Sequence, residues 1–239
     1  MNTKKLLHMF LFLFILLVNV NLNAQGIKIY KSDNTIINVP YSELDSIVTY
    51  DAESSYLPES DDAAKAIDLG LPSGTRWASW NIGANSPDEY GNYYAWGETE
   101  TKSRYSKVLY KYYISSSMGY TDIGSDISGT QYDVARKLWG SNWRIPTVAE
   151  FRELINECVW TWEQSNEKNG YIVTGPNGNS IFLPAAGYRI DSSHVFADGE
   201  GWYWSSELSS SNNGVFLLNS ITAVGSDNRY LGLSIRPVK

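Results

Sequence analysis

A chain of 239 residues in which 43% are hydrophobic is long enough for one sizeable folded domain and a small N-terminal appendage. The formal net charge of −7 disfavours nucleic acid and anionic membranes, so we expect neither as a partner. One cysteine, Cys158, and two histidines, His8 and His194, exclude an intrachain disulfide, a Cys/His zinc site and a multi-histidine iron site, and no cofactor or metal is expected.

The N-terminus has the pattern of an export signal. Lys4 and Lys5 precede an apolar run over residues 6–18, and the small residue Ala24 closes a short polar stretch. The run is too short for a membrane anchor. We predict a signal peptide over residues 1–24, cleaved after Ala24. The mature chain, with no other long apolar run, is expected to have no membrane span and to be secreted or associated with the cell surface at the outer membrane.

Residues 25–50 form a small β-rich segment in this interpretation. Ile27 and Ile29 alternate with Lys28 and Tyr30, which predicts a half-buried strand. Further strands are predicted at 35–39 and 48–50, with a turn at 32–34 and a short helical turn at 41–47. Residues 51–65 are rich in Asp, Glu, Ser and Pro. We interpret them as an acidic linker in preference to a calcium site.

Two helices are predicted in the remaining domain, residues 66–239. After Pro146, Thr147 and Glu150 have the spacing of a capping box. The apolar face of that helix consists of Phe151, Leu154, Ile155 and Cys158, so Cys158 is predicted to be a buried core thiol. A shorter helix is predicted over 132–139, with Val134 and Leu138 on one face and Gly140 as its stop.

Strands are predicted over much of the rest of this domain. A hairpin is expected at 171–174 and 180–183, around the turn sequence of residues 175–179. Residues 201–206 should form a strand that directs Trp202 and Trp204 to one side. Closing strands are expected at 215–218 and 230–238. Few helices and many strands predict an α+β fold with antiparallel sheet.

Several short motifs occur in a characteristic order. They are Trp77 with Asn81, Tyr94-Ala95-Trp96, Trp143-Arg144-Ile145-Pro146-Thr147 followed by Glu150-Phe151, Trp204-Ser205-Ser206, and Ser234-Ile235-Arg236-Pro237-Val238. With this set, residues 66–239 resemble the Fibrobacter succinogenes major paralogous domain family, within the C-type lectin-like and formylglycine-generating-enzyme-like fold group. The segment at 27–50 is similar to one that precedes such domains in exported bacterial proteins.

The resemblance implies a C-type lectin-like fold with two helices, long loops, and first and last strands brought together. By analogy, the loop-rich half that carries binding is assigned to residues 187–230. The sugar and calcium motifs of calcium-dependent lectins are missing from the sequence, as are the copper-binding cysteine pair and the iron-binding histidine set of the enzymatic branches. The resemblance therefore gives no support for an enzyme.

Candidate ligand-binding residues are Tyr188, Asp191, His194, Asp198 and Trp202. Aromatic rings stack on pyranose faces, while carboxylates and amides orient hydroxyl groups. For Tyr188 and Trp202 a role in the core remains an alternative, and His194 has the alternative of an ordinary surface loop. A core role is expected for four tryptophans, Trp77, Trp96, Trp143 and Trp204. Arg144 and Arg236 are expected to form ion pairs with Glu98, Glu150 or Asp68.

The leading hypothesis is an exported, non-enzymatic binding module that recognises a glycan or a surface protein. The alternative is a structural or accessory subunit of a cell-surface assembly, joined through exposed strand edges at 27–50. The least favoured hypothesis is a hydrolase that uses Glu98 with Glu150, or His194. The sequence sets no oligomeric state.

Overall fold

The structure is a computed structural model, and it describes residues 26–30, 36–40, 66–218 and 222–239. The chain divides into two compact units, Met1–Tyr56 and Leu57–Lys239, each described here by itself. In the first unit, β1 (Gly26–Tyr30) pairs antiparallel with β2 (Ile36–Pro40), which confirms two of the strands expected there. The signal peptide, the helical turn at 41–47, the strand at 48–50 and the acidic linker lie outside the described residues.

The described part of the second unit contains two α-helices and a set of antiparallel sheets, which confirms the α+β class. The helices are α1 (Val134–Trp139) and α2 (Val148–Glu157), with a 3₁₀ turn at Lys107–Leu109. Three sheets have two strands: β3 (Ala66–Asp68) with β4 (Arg76–Ala78), β5 (Tyr113–Ile114) with β6 (Gly119–Tyr120), and β10 (Tyr188–Ile190) with β11 (Ser193–Val195). Two have three: β7 (Val159–Ser165), β8 (Lys168–Thr174) and β9 (Ser180–Pro184), and β12 (Trp202–Leu208), β13 (Asn213–Leu218) and β14 (Ala223–Asn228).

The predicted capping box of α2 is confirmed. The Thr147 hydroxyl accepts from the backbone N–H of Glu150, and the Glu150 carboxylate accepts from the backbone N–H of Thr147. Two of the four predicted apolar residues, Phe151 and Leu154, are fully buried. Cys158 is only half-buried, because it is the C-cap residue at which the chain leaves the helix. The prediction of a buried core thiol was therefore wrong, although partial burial still raises the pKa of Cys158 to about 11.

Helix α1 is shorter than predicted. It begins at Val134 because Asp133 is its N-cap, whose carboxylate accepts from the backbone N–H groups of Ala135 and Arg136. Gly140 ends it, as expected. Leu138 was expected to share the buried face of Val134, but it is 47% exposed. A helix of six residues buries only its first turn, so the apolar position near its end remains in solvent.

The strand predictions were right for the two central hairpin strands and for β12 and β13, and incomplete elsewhere. The hairpin of β8 and β9 surrounds the predicted turn. Eight strands in the described part of the second unit were not predicted, namely β3 to β7, β10, β11 and β14. Six of these have only two or three residues, whereas the two longer ones, β7 and β14, are a largely exposed edge strand and a half-buried strand. The stretch at 187–230 is also not loop-rich, because it holds five strands.

A strand was predicted over residues 230–238, but the closing segment, residues 230–239, forms isolated bridges instead. Its backbone pairs with a different partner every few residues, so no continuous ladder develops. Lys239 exchanges two backbone hydrogen bonds with Arg76, Val238 exchanges two with Arg144, and Leu233 exchanges two with Tyr94. Strand β4, near the start of the second unit, and the closing segment at its end are therefore adjacent, as expected.

The core of the second unit consists of clusters of buried side chains in which aromatic residues are prominent. The four tryptophans expected in the core, Trp77, Trp96, Trp143 and Trp204, are at most 3% exposed. Trp96, Trp143 and Trp204 belong to one cluster, while Trp77 packs with Phe151 of α2 in another. A third, smaller cluster is built mainly from tyrosines.

Arg236 is a buried cation without a carboxylate partner in the described part of the chain, so the ion pair predicted for it was wrong. Its Nε donates to Asn81 Oδ1 at 2.8 Å, Nη1 to the Ala78 carbonyl at 3.0 Å and Nη2 to the Phe182 carbonyl at 2.8 Å. Burial lowers the pKa of Arg236 to about 10. Three neutral acceptors from two parts of the chain, residues 78–81 and Phe182, thus replace the expected counter-ion.

We expect Arg236→Lys to lower the free energy of unfolding by about 3 kcal/mol, because an ammonium cannot reach three acceptors held in a planar fork. Denaturant titration of the whole chain measures this change. The control is Arg76→Lys, at an exposed arginine on β4, for which we expect a change within about 0.5 kcal/mol. Equal losses in both variants would contradict the role assigned to Arg236.

The other predicted ion pair is present. Arg144 binds the Glu150 carboxylate through both terminal nitrogens, at 2.5 and 2.7 Å. The same carboxylate accepts from the hydroxyls of Thr75 and Thr147 and from the Thr147 backbone N–H. Burial raises the pKa of Glu150, but the hydrogen bonds from Arg144 and Thr147 outweigh it, so the pKa lies below the ordinary 4.5.

A carboxylate whose pKa is lowered by folding stabilises the fold above its unfolded pKa, and this contribution is lost as the pH falls through the folded value. We therefore expect Glu150→Gln to cost about 2 kcal/mol at pH 7, with the difference from the unmodified chain shrinking below pH 4.5. Denaturant titrations at several pH values measure it. Glu157→Gln, at the exposed end of α2, controls for the lost negative charge, and a pH-independent difference for Glu150→Gln would refute the prediction.

Candidate functional site

The hairpin of β10 and β11 organises the residues predicted to bind a ligand. Tyr188 pairs with Val195, and Arg189 with His194. Side chains alternate between the two faces of a strand, so Tyr188 lies on one face of the hairpin and His194, with Arg189, on the other. The structure therefore separates residues that the sequence analysis treated as one site.

Tyr188 and Trp202 come together on the first face. Their ring centroids are 4.7 Å apart, and Trp202 stacks on Phe216 at 4.3 Å with an interplanar angle of 19°. The Trp202 indole N–H donates to the Glu200 carboxylate at 2.8 Å. One face of Trp202 is thus occupied by Phe216 and a neighbouring ring crowds the other side, so this half-buried indole belongs largely to the core.

Phe196 is the exposed aromatic residue of this face, and the sequence analysis missed it. It is 54% exposed, and its ring lies 5.9 Å from that of Tyr188. Its φ of +58° is uncommon for a bulky residue, and two of the predicted residues, Asp191 and Asp198, also have positive φ. The loop is fixed by backbone bonds from Gly199 and Glu200 to the Phe196 carbonyl. An aromatic residue in a polar, glycine-containing stretch was the signal that could have revealed it.

His194 lies on the second face, among tyrosines. Its Nε2 is 2.8 Å from the Tyr93 hydroxyl and 2.8 Å from the Ala186 carbonyl. The Tyr93 hydroxyl also donates to the Ala186 carbonyl, and burial raises the pKa of Tyr93, so the phenol stays protonated at neutral pH. The Arg189 guanidinium covers the Tyr93 ring at 5.0 Å. The imidazole is therefore a half-buried member of a hydrogen-bonded cluster.

Asp198 is connected to His194 through Tyr90. The Tyr90 hydroxyl donates to the Asp198 carboxylate at 2.5 Å, and the Tyr90 ring meets the His194 ring edge-on at 6.0 Å. Burial and then the hydrogen bond to Asp198 raise the pKa of Tyr90. Lys168 covers the same ring at 5.0 Å. His194 and Asp198 thus form one polar group with Tyr90, which the sequence analysis did not select.

Asp191 stands apart at the tip of the hairpin. Its backbone exchanges two hydrogen bonds with Tyr105, and its carboxylate is 3.4 Å from Arg104 Nη2. Both charged groups are more than half exposed, so this ion pair is weak. The five predicted residues consequently occupy three positions around one hairpin: the aromatic face, the tyrosine–histidine face and the tip.

The carboxylates considered for a hydrolase have structural contacts. Glu98 is buried, pairs with Lys102 at 2.7 Å and accepts from the backbone N–H of Lys111. Glu150 is held by Arg144 and caps α2. Within the described ranges, no group of three or more His, Cys, Asp or Glu side chains is placed to hold a metal ion. No helix of the described part of the chain is long and apolar enough to cross a membrane.

Comparisons with known proteins give no relatives for this arrangement. No protein-family model matches the chain, no curated protein matches it, and no solved structure matches it.

Gly187 fixes the start of the hairpin. Its φ is +58°, and a Cβ there would lie 2.1 Å from the Val195 carbonyl oxygen. We expect Gly187→Ala to lower the thermal midpoint by about 10 °C or more, because backbone must move to relieve the clash. Gly74→Ala is the matched control: φ is +74° but nothing lies within 4 Å of its Cβ, so only the cost of the backbone conformation remains. Similar midpoints for the two variants would show that the hairpin start is not constrained.

Proposed function

We propose that this chain is an exported, non-enzymatic binding module that recognises a glycan through the β10–β11 hairpin and the following loop, residues 188–200. The observation that carries the proposal is Phe196, an exposed ring on a loop fixed by backbone hydrogen bonds. Pyranose rings stack on such a face, and a fixed loop presents it at little entropic cost. Export is part of the proposal and rests on the pattern of residues 1–24.

Polar groups suited to sugar hydroxyls lie on the hairpin and the loop that carry that ring. The Asp191 and Asp198 carboxylates are exposed and lie within a few residues of Phe196, and Glu200 is half-buried beside Trp202. Carboxylates accept hydrogen bonds from vicinal hydroxyl groups, which orients a sugar that stacks on an aromatic face. In this proposal the Tyr188 ring packs against Phe196, and Trp202 packs in turn against Tyr188.

We further propose that residues 66–239 adopt a C-type lectin-like fold. Two helices, antiparallel sheets and the pairing of the closing segment with β4 support it. The motifs that carry the family resemblance also support it, because Trp77, Trp96, Trp143, Trp204 and Arg236 are all buried where they would specify a fold.

A structural or accessory role in a cell-surface assembly is the second candidate. The observation that favours it is the small sheet of β1 and β2, whose pairing is limited to one partner strand each in the described residues. Unpaired strand edges add readily to the sheet of another protein. Deletion of residues 25–60 tests this role: a shortened chain that still assembles at the cell surface like the whole chain would eliminate it.

Glycan binding is tested with the whole chain, purified as the cell processes it, on immobilised glycans with and without calcium. We expect Phe196→Ala to weaken binding to any recognised glycan about tenfold, because loss of the ring on which the sugar stacks removes about 1.4 kcal/mol of binding free energy. Trp162→Ala is the control, because Trp162 is also a partly exposed aromatic residue, 42% exposed on β7.

Two outcomes would count against the proposal. Glycan binding that is equally strong in Phe196→Ala would remove the site from this hairpin. A folded chain that binds no glycan would favour a protein ligand or the structural role.

A further inference from the structure

A pocket lies away from the residues predicted to bind a ligand. Its volume is about 440 Å³, which is in the range of small-molecule sites. It is formed by the segment after β6, the end of β12 with the turn that follows, and Arg229. Most of the residues that line it carry a hydroxyl group. The lining residues are Tyr120, Thr121, Asp122, Gly124, Ser125, Leu208, Ser209, Ser210, Ser211 and Arg229.

Arg229 is the buried polar group of this pocket. It is 2% exposed, its Nε donates to the Tyr110 hydroxyl at 2.8 Å, and its Nη1 donates to the Ser211 carbonyl at 3.3 Å. Its Nη2 is buried and has no hydrogen-bond partner among the described residues. Arg229 forms no ion pair with a carboxylate of the described residues.

Aromatic rings hold the guanidinium in place without neutralising it. Its Cζ lies 4.8 Å from the Trp96 ring centroid and 5.3 Å from those of Tyr110 and Tyr120. Cation–π contacts occupy the faces of a guanidinium, whereas an anion binds its edge. A buried cation with a free N–H is costly to the fold, and such groups in native proteins commonly mark a missing ion or ligand.

We propose that this pocket binds the carboxylate of an acidic monosaccharide, with Arg229 Nη2 donating to a carboxylate oxygen. The site is separate from the hairpin, so the inference does not rest on the proposed function. Arg229 and the turn at 209–211 had no distinguishing sequence pattern, since Asn-Arg-Tyr and a run of serines are unremarkable in a loop.

The other lining residues favour a sugar as the bearer of that carboxylate. The Asp122 carboxylate accepts from the Gly124 backbone N–H at 2.9 Å and keeps acceptor capacity for a ligand hydroxyl. Ser125 and Ser209 line the same pocket; the Ser209 hydroxyl donates to the Asn213 carbonyl at 3.4 Å and keeps its acceptor capacity for a ligand hydroxyl. The Asp122 carboxylate repels a doubly charged anion such as phosphate more strongly than a singly charged carboxylate, because the repulsion between like charges increases with the charge of the ligand.

Calorimetric titration of the whole chain with D-glucuronate tests the inference, with D-glucuronamide as a neutral probe of the same shape. We expect millimolar binding of glucuronate, on the order of 1 mM, and at least tenfold weaker binding of the amide. Arginine Nε–Hε resonances in ¹⁵N NMR spectra report whether one buried guanidinium responds to glucuronate and not to the amide.

Ser125→Trp places a bulky side chain at the exposed mouth of the pocket while leaving Arg229 and its contacts intact. We expect it to abolish glucuronate binding with an unchanged unfolding midpoint. Arg229→Gln should also abolish binding, but it removes the bond to Tyr110 and is interpreted only if the chain folds. Thr161→Trp, which adds the same side chain at an exposed position on β7 outside the pocket, should bind normally.

Three results would overturn the inference. Equal affinity for glucuronate and glucuronamide would show that no carboxylate is recognised. Undiminished binding in Ser125→Trp would place the site elsewhere. Acetate or a peptide with a free C-terminus binding as tightly as glucuronate would show that the sugar contributes nothing, and would identify a general carboxylate or peptide site. None of these results depends on Phe196, so failure here and failure of the proposed function are distinguishable.

Discussion

The domain is closed around one buried guanidinium. Arg236 donates to the Asn81 side chain, to a carbonyl of β4 and to a carbonyl of β9, so a single side chain joins the closing segment to two sheets. Because the charge has no carboxylate partner in the described residues, only the full set of neutral acceptors compensates its desolvation. Displacing any of these segments would leave a cation buried and unsatisfied. The geometry of the neighbouring sheets is therefore constrained by the need to keep three acceptors around one residue.

The sequence predicted the parts of this fold that depend on local chemistry. A capping box needs only Thr147 and Glu150 at the right spacing, and the turn after β8 needs only its Pro, Asn and Gly residues, so both were predictable. The acceptors of Arg236 were not, because carbonyl groups carry no sequence signal and come from distant segments. By contrast, β7 begins with Val159-Trp160-Thr161-Trp162, residue types that favour strands, so a strand could have been predicted there from residue type, although its exposed edge position could not.

For the candidate sites too, residue type could be read from the sequence, whereas contacts between distant segments could not. Aromatic and acidic residues near 188–202 could be selected by type, but their distribution over two faces of a hairpin follows from the register of β10 and β11, which is a pairing between strands. Phe196 is exposed because of a backbone conformation that its neighbours impose. Arg229 differs from Arg236 in having an unpaired nitrogen beside a pocket, although both are arginines in nearly apolar surroundings near the end of the chain. Only the arrangement in space separates a structural arginine from a candidate binding arginine.

The position of the closing segment also governs how this protein is made. Arg236 and the β4 carbonyl that it binds are 158 residues apart, so the ribosome completes nearly the whole domain before its central contact can form. Contacts of such separation are slow to form, because the entropy of closing a long loop is lost before the contact stabilises anything. Until residues 230–239 are synthesised, the sheets of the second unit lack this shared partner and the domain remains open. The domain can therefore reach its final structure only after nearly all of its residues have been translated.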